Sequence, residues 1–218
     1  FGYPITEFQG VRFGVVAQQS DLIVNPQNSA PEAVTWVRNN GNPYTRLIEN
    51  EFPDGGDPDT DPDIIVTPLF GTKFDTYELV TGWFFDSRNR AIFADRGMRH
   101  SVSLAVTAPG SEVDYYVFNY DYLQLVPISR QWTVAVSAEL AFGDALGNAT
   151  SALPPYRQFF GGGPSSVRGY TESRLGPKDS FGNPYGGNMK VIGRTELLFP
   201  VPQKWRARRW TTSPPTRS

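Results

Sequence analysis

On one side of the segment Gln131–Phe142 stand Trp132, Val134, Val136, Ala138, Leu140 and Phe142, all apolar. On the other stand Gln131, Thr133, Ala135, Ser137, Glu139 and Ala141, which are small or polar. A period of two belongs to a β-strand, whose successive side chains point to opposite faces. The pattern recurs in six segments, at about 10–19, 73–85, 98–107, 113–126, 131–142 and 188–199. Most have about the 9–11 residues that cross a bilayer when tilted. In the second, Tyr77, Leu79, Thr81, Trp83 and Phe85 oppose Thr76, Glu78, Val80 and Gly82. In the fourth, Tyr116, Phe118, Tyr120 and Tyr122 oppose Asn119 and Asp121. The apolar faces are almost unbroken and rimmed by aromatics.

The connections alternate between long and short, a habit of membrane barrels with short turns on one rim and long loops on the other. A soluble β-sandwich also alternates, but it would need two packed sheets and Greek-key crossings. The expected fold is therefore all-β: a partial antiparallel transmembrane β-barrel of about six strands in meander order. Bacterial barrels begin at about eight strands, so the sheet is expected to be open at both edges, as in a fragment. Tyr3–Glu7 reads as a tight turn closing an earlier strand. Ser20–Thr72 reads as one long irregular region, with a short helix at Pro31–Arg38 capped by Ser29. Composition agrees: 21 Gly and 19 Pro suit turns, and 15 Phe, 10 Tyr and 5 Trp suit strands. A mean hydropathy of −0.38 does not exclude a membrane, because a barrel strand is apolar only on alternate residues.

Several chemistries lack their residues. The formal net charge of −2 gives no basic field for nucleic acid. No cysteine is present, hence no disulfide framework and no thiolate zinc site. His100 stands alone at a strand start and reads as a rim residue, without a triad or metal. The acidic run Asp54–Asp63 misses the EF-hand pattern, with Pro62 where glycine is required, and reads as a solvated loop. Asn148-Ala149-Thr150 matches a glycosylation triplet by chance. No catalytic residue, metal site or cofactor is expected.

The stretch Tyr156–Pro177 is a different kind of loop. Gly161, Gly162 and Gly163 permit a reversal that other residues resist. Val167, Arg168, Gly169 and Tyr170 follow, and apolar residues such as Phe159, Val167 and Tyr170 give it mass to pack. Most arginines face solvent. The alternative places Arg168 over the inner side of the sheet, where a confined guanidinium needs a carboxylate. Glu196 and Glu139 lie on the polar faces of the two flanking strands.

The run FFGGGPSSVRGY followed by TESRLGPK resembles the sixth extracellular loop of the BamA-like outer-membrane protein assembly factors, the bacterial surface antigen family. The resemblance covers roughly Phe1 to Trp205 and extends to turns at Asp95-Arg96-Gly97 and Ala108–Ser111. It implies the cell outer membrane and a part in folding and inserting outer-membrane proteins. It implies membrane lipids and unfolded outer-membrane proteins as partners, with accessory assembly lipoproteins for the full-length parent, and no enzymatic step. It implies that the loop arginine, here Arg168, meets in the lumen a Glu on the strand after the loop, matched here by Glu196, and an Asp one strand further, which has no counterpart here. A confined arginine needs a partner, so the Arg168–Glu196 pair is expected to act as a latch that fixes the loop. A two-partner secretion translocator pore shares the loop signature, and a soluble glycan-binding β-domain is a further alternative. After Trp205 the alternation stops, four arginines crowd in and Pro214-Pro215 opposes a strand. Residues 1–205 thus read as barrel and 206–218 as a non-native tail without regular pairing, from a shifted reading frame or an artificial terminus.

Overall fold

The computed structural model describes residues 1–49, 66–147 and 150–200. The acidic run Asp54–Asp63, Asn148 and Ala149 of the triplet, and the tail 206–218 lie outside the described residues. The strands are β1 (Gly2–Pro4), β2 (Gln9–Val24), β3 (Asn42–Glu49), β4 (Val66–Asp86), β5 (Gly97–Thr107), β6 (Tyr115–Pro127), β7 (Thr133–Ala145) and β8 (Met189–Leu198). One helix, α1 (Pro31–Asn39), lies between β2 and β3. The strands form a single antiparallel sheet in the order β1-β2-β4-β5-β6-β7-β8, with β3 added beside β4. Among the described residues the sheet is open, and no second sheet stacks on it as in a sandwich.

Among the described residues eight strands replace the six expected, and the described parts of 20–72 hold the end of β2, α1, β3 and the start of β4. β2 runs on to Val24, and β4 spans 21 residues and is far longer than its clean alternation. Its upper part, Phe70 to Lys73, pairs with β2 along one edge and with β3 along the other. β5 reaches β4 only as far as Glu78↔Thr107. β3 therefore occupies edge groups that β5 leaves open, and unpaired backbone groups are costly. The helix forms one residue longer than expected, but Ser29 does not cap it. The N-cap is Ala30, without a side-chain bond. The Ser29 hydroxyl instead accepts from the Asn25 amide at 3.1 Å, closing the turn before α1.

Register defines the two faces. Phe13↔Thr81, Thr81↔Leu104, Leu104↔Phe118, Phe118↔Phe142 and Phe142↔Met189 trace one row across the outer face. Phe13, Val15, Leu79, Leu140, Met189 and Val191 stand exposed on it. Apolar surface on this scale is unfavourable against water, at about 25 cal/mol per Å², and favourable against hydrocarbon. One rim of this face carries an aromatic belt. There His100 sits 4.9 Å from the Tyr122 ring, 6.0 Å from Phe85 and 6.2 Å from Trp83. Its Nδ1 lies 2.9 Å from the Tyr120 hydroxyl. Such belts mark the membrane–water boundary.

The inner face carries Thr76, Glu78, Asn119, Asp121, Ser137, Glu139, Arg194 and Glu196. Its upper part is covered by α1 and by residues 150–188 of the connection to β8. The core is gathered there, from Val24, Trp36, Val37, Phe74, Val113, Tyr115, Val117 and Leu153. Trp36 meets Phe74 edge-on at 5.8 Å.

The face assignment makes a prediction. Leu140→Arg, on the outer face at the middle of β7, should lower folding stability in lipid vesicles by about 2–4 kcal/mol. Asn119→Arg, on the inner face of β6, should cost far less. Urea titration of the intact protein in vesicles measures both, and equal costs would contradict the assignment.

Candidate functional site

The 146–188 connection leaves β7, turns through a short 3₁₀ segment at Pro155–Arg157, and returns to β8. It is folded on itself by three isolated β-bridges, Phe159↔Gly187, Gly161↔Leu175 and Lys178↔Pro184. Phe159 and Gly187 exchange both backbone bonds, at 2.8 and 3.0 Å. Leu175 donates to the Gly161 carbonyl at 3.0 Å, and Gly163 to the Tyr170 carbonyl at 3.1 Å. Gly162 has φ +106°, and a Cβ there would stand 2.4 Å from the Thr171 carbonyl oxygen. Glycine at 162 is thus required twice, by conformation and by space. Gly169 also has positive φ, at +91°, but open space around it.

At the tip, the Arg168 Nη2 stands 3.1 Å from Glu196 Oε1 on β8. The Arg168 side chain is 73% exposed and that of Glu196 37%. A pair this wet is worth about 0–1 kcal/mol. Arg194, one inward position up β8, grips the same tip through the Ser165 carbonyl and, at 3.3 Å, the Ser166 carbonyl. Its Nε also donates to Ser137 Oγ at 3.2 Å. Arg99, Asp121, Ser137, Arg168, Arg194 and Glu196 line a polar cavity of about 310 Å³ under the tip. Glu139, the other carboxylate considered for Arg168, is engaged by Lys190 instead. Val167 is half-buried, but Tyr170 is exposed, so it does not anchor the tip as expected. The apolar anchors are Leu153, which is buried, and Phe159, which packs against the core.

The sequence reading missed the base of the loop. Arg157 Nη2 pairs with Glu78 Oε1 on β4, and the Glu78 side chain is only 4% exposed. The Tyr115 hydroxyl donates to the same carboxylate oxygen, and Arg157 Nε donates to that hydroxyl at 3.1 Å. Arg157 also lies over the Tyr115 ring at 5.6 Å and the Tyr156 ring at 5.8 Å, while Tyr156 stacks on Phe74. Burial works against the Arg157 charge, but the Tyr115 hydroxyl and the Glu78 carboxylate outweigh it and hold the guanidinium above its ordinary value. In the sequence Glu78 is a lone carboxylate among Thr72, Thr76, Val80 and Gly82 on its face, and only its burial in the fold makes it a charge that demands a partner.

Helix α1 holds the loop from above. Trp36 Nε1 donates to the Ala152 carbonyl at 2.9 Å. The Asn40 side chain donates to Ser151 Oγ at 2.8 Å and accepts from the Ser151 amide at 2.8 Å. The Ser180 hydroxyl donates to Glu32 at 2.5 Å and holds its carboxyl below the usual range. No group of three or more potential metal-binding side chains clusters among the described residues. The arrangement can position a segment.

Residues 1–213 match the family model of the Omp85 superfamily domain. The chain belongs to the Omp85 superfamily. Over 203 residues, 91% of this chain, it is 32% identical to the outer membrane protein assembly factor BamA of Neisseria meningitidis serogroup B (strain ATCC BAA-335 / MC58). It spans about a fifth of that relative, 22% of its length. Among solved structures it matches BamA from Haemophilus ducreyi lacking POTRA domains 1-3, with a TM-score of 0.72 and 23% identity. That match covers 92% of this chain and 36% of the other. This Omp85 chain is accordingly a BamA-like barrel sheet of the cell outer membrane, and its apolar outer face is the lipid face.

The glycines separate by their surroundings. Gly162→Ala should loosen the loop more than Gly169→Ala, because the first must move backbone while the second carries only the strain of about 1–2 kcal/mol for a left-handed residue. Limited proteolysis of the loop in the folded intact protein should rank them in that order.

Proposed function

We propose that this chain is part of an outer-membrane β-barrel assembly factor, one that folds and inserts outer-membrane proteins. The observation that carries the reading is the 32% identity to an outer membrane protein assembly factor along nearly the whole chain. Residues 1–205 supply barrel wall. Unfolded outer-membrane proteins are the substrates, membrane lipids the surroundings, and accessory assembly lipoproteins the partners of the longer protein. The work is done by binding and placement, without a covalent step or a cofactor.

Within this reading the glycines Gly161, Gly162 and Gly163 let the loop reverse. The segment Val167-Arg168-Gly169-Tyr170 presents its arginine to the inner wall. Arg168 with Glu196 is a latch that fixes the tip against β8, helped by Arg194. A guanidinium suits the role because its planar fork offers two parallel donors to a carboxylate, which an ammonium lacks.

The test replaces the cell's own copy with variants of the intact protein. Arg168→Ala should lower the folded level of outer-membrane barrels while the variant's own barrel still forms. A latch of about 1 kcal/mol corresponds to about a fivefold shift in loop occupancy. Arg168→Lys should rescue only in part. Unchanged barrel levels together with loss of export of one dedicated passenger protein would replace this reading by that of a secretion translocator.

A further inference from the structure

The two attachments of the loop are unequal. The tip pair is wet on both sides, whereas at the base the Glu78 carboxylate is buried between β4, β6 and the loop, and its partner Arg157 is 31% exposed. Glu78 accepts from two donors, and one of them, Arg157, belongs to the loop. Removing Arg157 would leave a buried carboxylate with only the Tyr115 hydroxyl. Removing Arg168 leaves Glu196 a carboxylate that water can reach. The ordering force therefore sits at residue 157, eleven positions before residue 168 by subtraction of the two numbers.

We propose that Arg157, held by Glu78 and Tyr115, is the positioning residue that sets where the loop lies on the inner face, and that the Arg168–Glu196 contact forms only on a loop so placed. The consequence for barrel assembly rests on the function proposed above; the placement of the loop does not. The geometry gives each partner a part. Glu78 projects inward from β4 at the level where β5 ends, opposite Thr107. Tyr115 begins β6 and is buried, so its hydroxyl cannot leave the carboxylate. Pro155 opens the 3₁₀ turn that carries Arg157, and the proline fixes φ and stiffens the base.

The chain contains no cysteine, so Val167→Cys, at the half-buried position of the tip, gives one reporter within it; in the intact, membrane-embedded protein any cysteine elsewhere is first replaced by serine. The reporter's labelling rate with a bulky maleimide reads loop placement, and heat-dependent gel mobility reads the barrel. Arg157→Ala and Glu78→Gln should each raise labelling by about tenfold, since each removes the pairing at the buried Glu78 position, with the mobility shift retained. Arg157→Lys, which keeps the charge on Glu78 but loses the Nε bond to Tyr115, should restore most of the protection. The double variant Glu78→Gln/Arg157→Gln buries no charge, so its barrel should fold even if a single variant fails; its labelling should still rise. Labelling within twofold of the parent in the folded double variant, or no rescue by lysine, would overturn the proposal. Raised labelling with undiminished assembly would support the positioning role and refute the assembly role of the loop.

Discussion

Backbone N–H and C=O groups facing hydrocarbon must be paired inside the protein, because each unpaired group costs several kcal/mol. This requirement organises the sheet. From β2 to β8 each neighbour is paired in uninterrupted antiparallel register, and the side chains then have no choice of face. It also explains β3. Above Glu78, β4 continues past the end of β5, and its free edge would be a row of open donors and acceptors. β3 returns from α1 to pair with Asn42↔Lys73 through Glu49↔Val66 and occupies that edge.

The same separation of solvents gives the loop its setting. The inner face is polar over its lower part and apolar near the top, where Phe74, Tyr115 and Val117 meet Trp36 and Leu153. A long connection crossing such a face needs apolar mass to stay and satisfied polar groups to be tolerated. Leu153 and Phe159 supply the first. Paired backbone bonds and the Arg157–Glu78–Tyr115 cluster supply the second. Burial decides which contact governs. A wet ion pair adds little to placement, whereas taking the partner from the buried Glu78 carboxylate strands a charge.

The alternating segments were legible because each strand has one lipid face, so hydrophobicity alone reports the period. β3 was not. Asn42-Pro43-Tyr44-Thr45-Arg46-Leu47-Ile48 has no clean alternation and carries a proline at its second position; its pairing is set by the free edge of β4, which no local pattern announces. The upper half of β4 is hidden likewise by Pro68 and Gly71, and Gly71 lies under the Tyr44 ring, where a Cβ would stand 2.3 Å from it. The juxtaposition of Arg168 and Glu196 was read from a resemblance, and polar-face position alone left Glu139 equally eligible. Lys190 removes it by engaging Glu139 across the β7–β8 pair. Arg157 was not legible, because Glu78 showed in the sequence only as one residue of a polar face, and no local pattern marks it as buried.

The positions of the two carboxylates give the loop a mechanical meaning. Glu78 is on β4 and Glu196 on β8, with β5, β6 and β7 between them. Four strand spacings amount to about 19 Å along the sheet, and curvature shortens the direct path. Eleven residues could span about 36 Å if fully extended, so the loop reaches both ends with slack, part of which the turn closed by the Ser166 amide on the Gly163 carbonyl takes up. A strap fixed at β4 and β8 resists any motion that changes their separation, such as flattening of the sheet. The energy it can transmit is limited by its weaker end. Flattening would therefore release the Arg168–Glu196 contact first and leave Arg157 seated, so the tip yields to movements of the wall while the base keeps the loop in register to return.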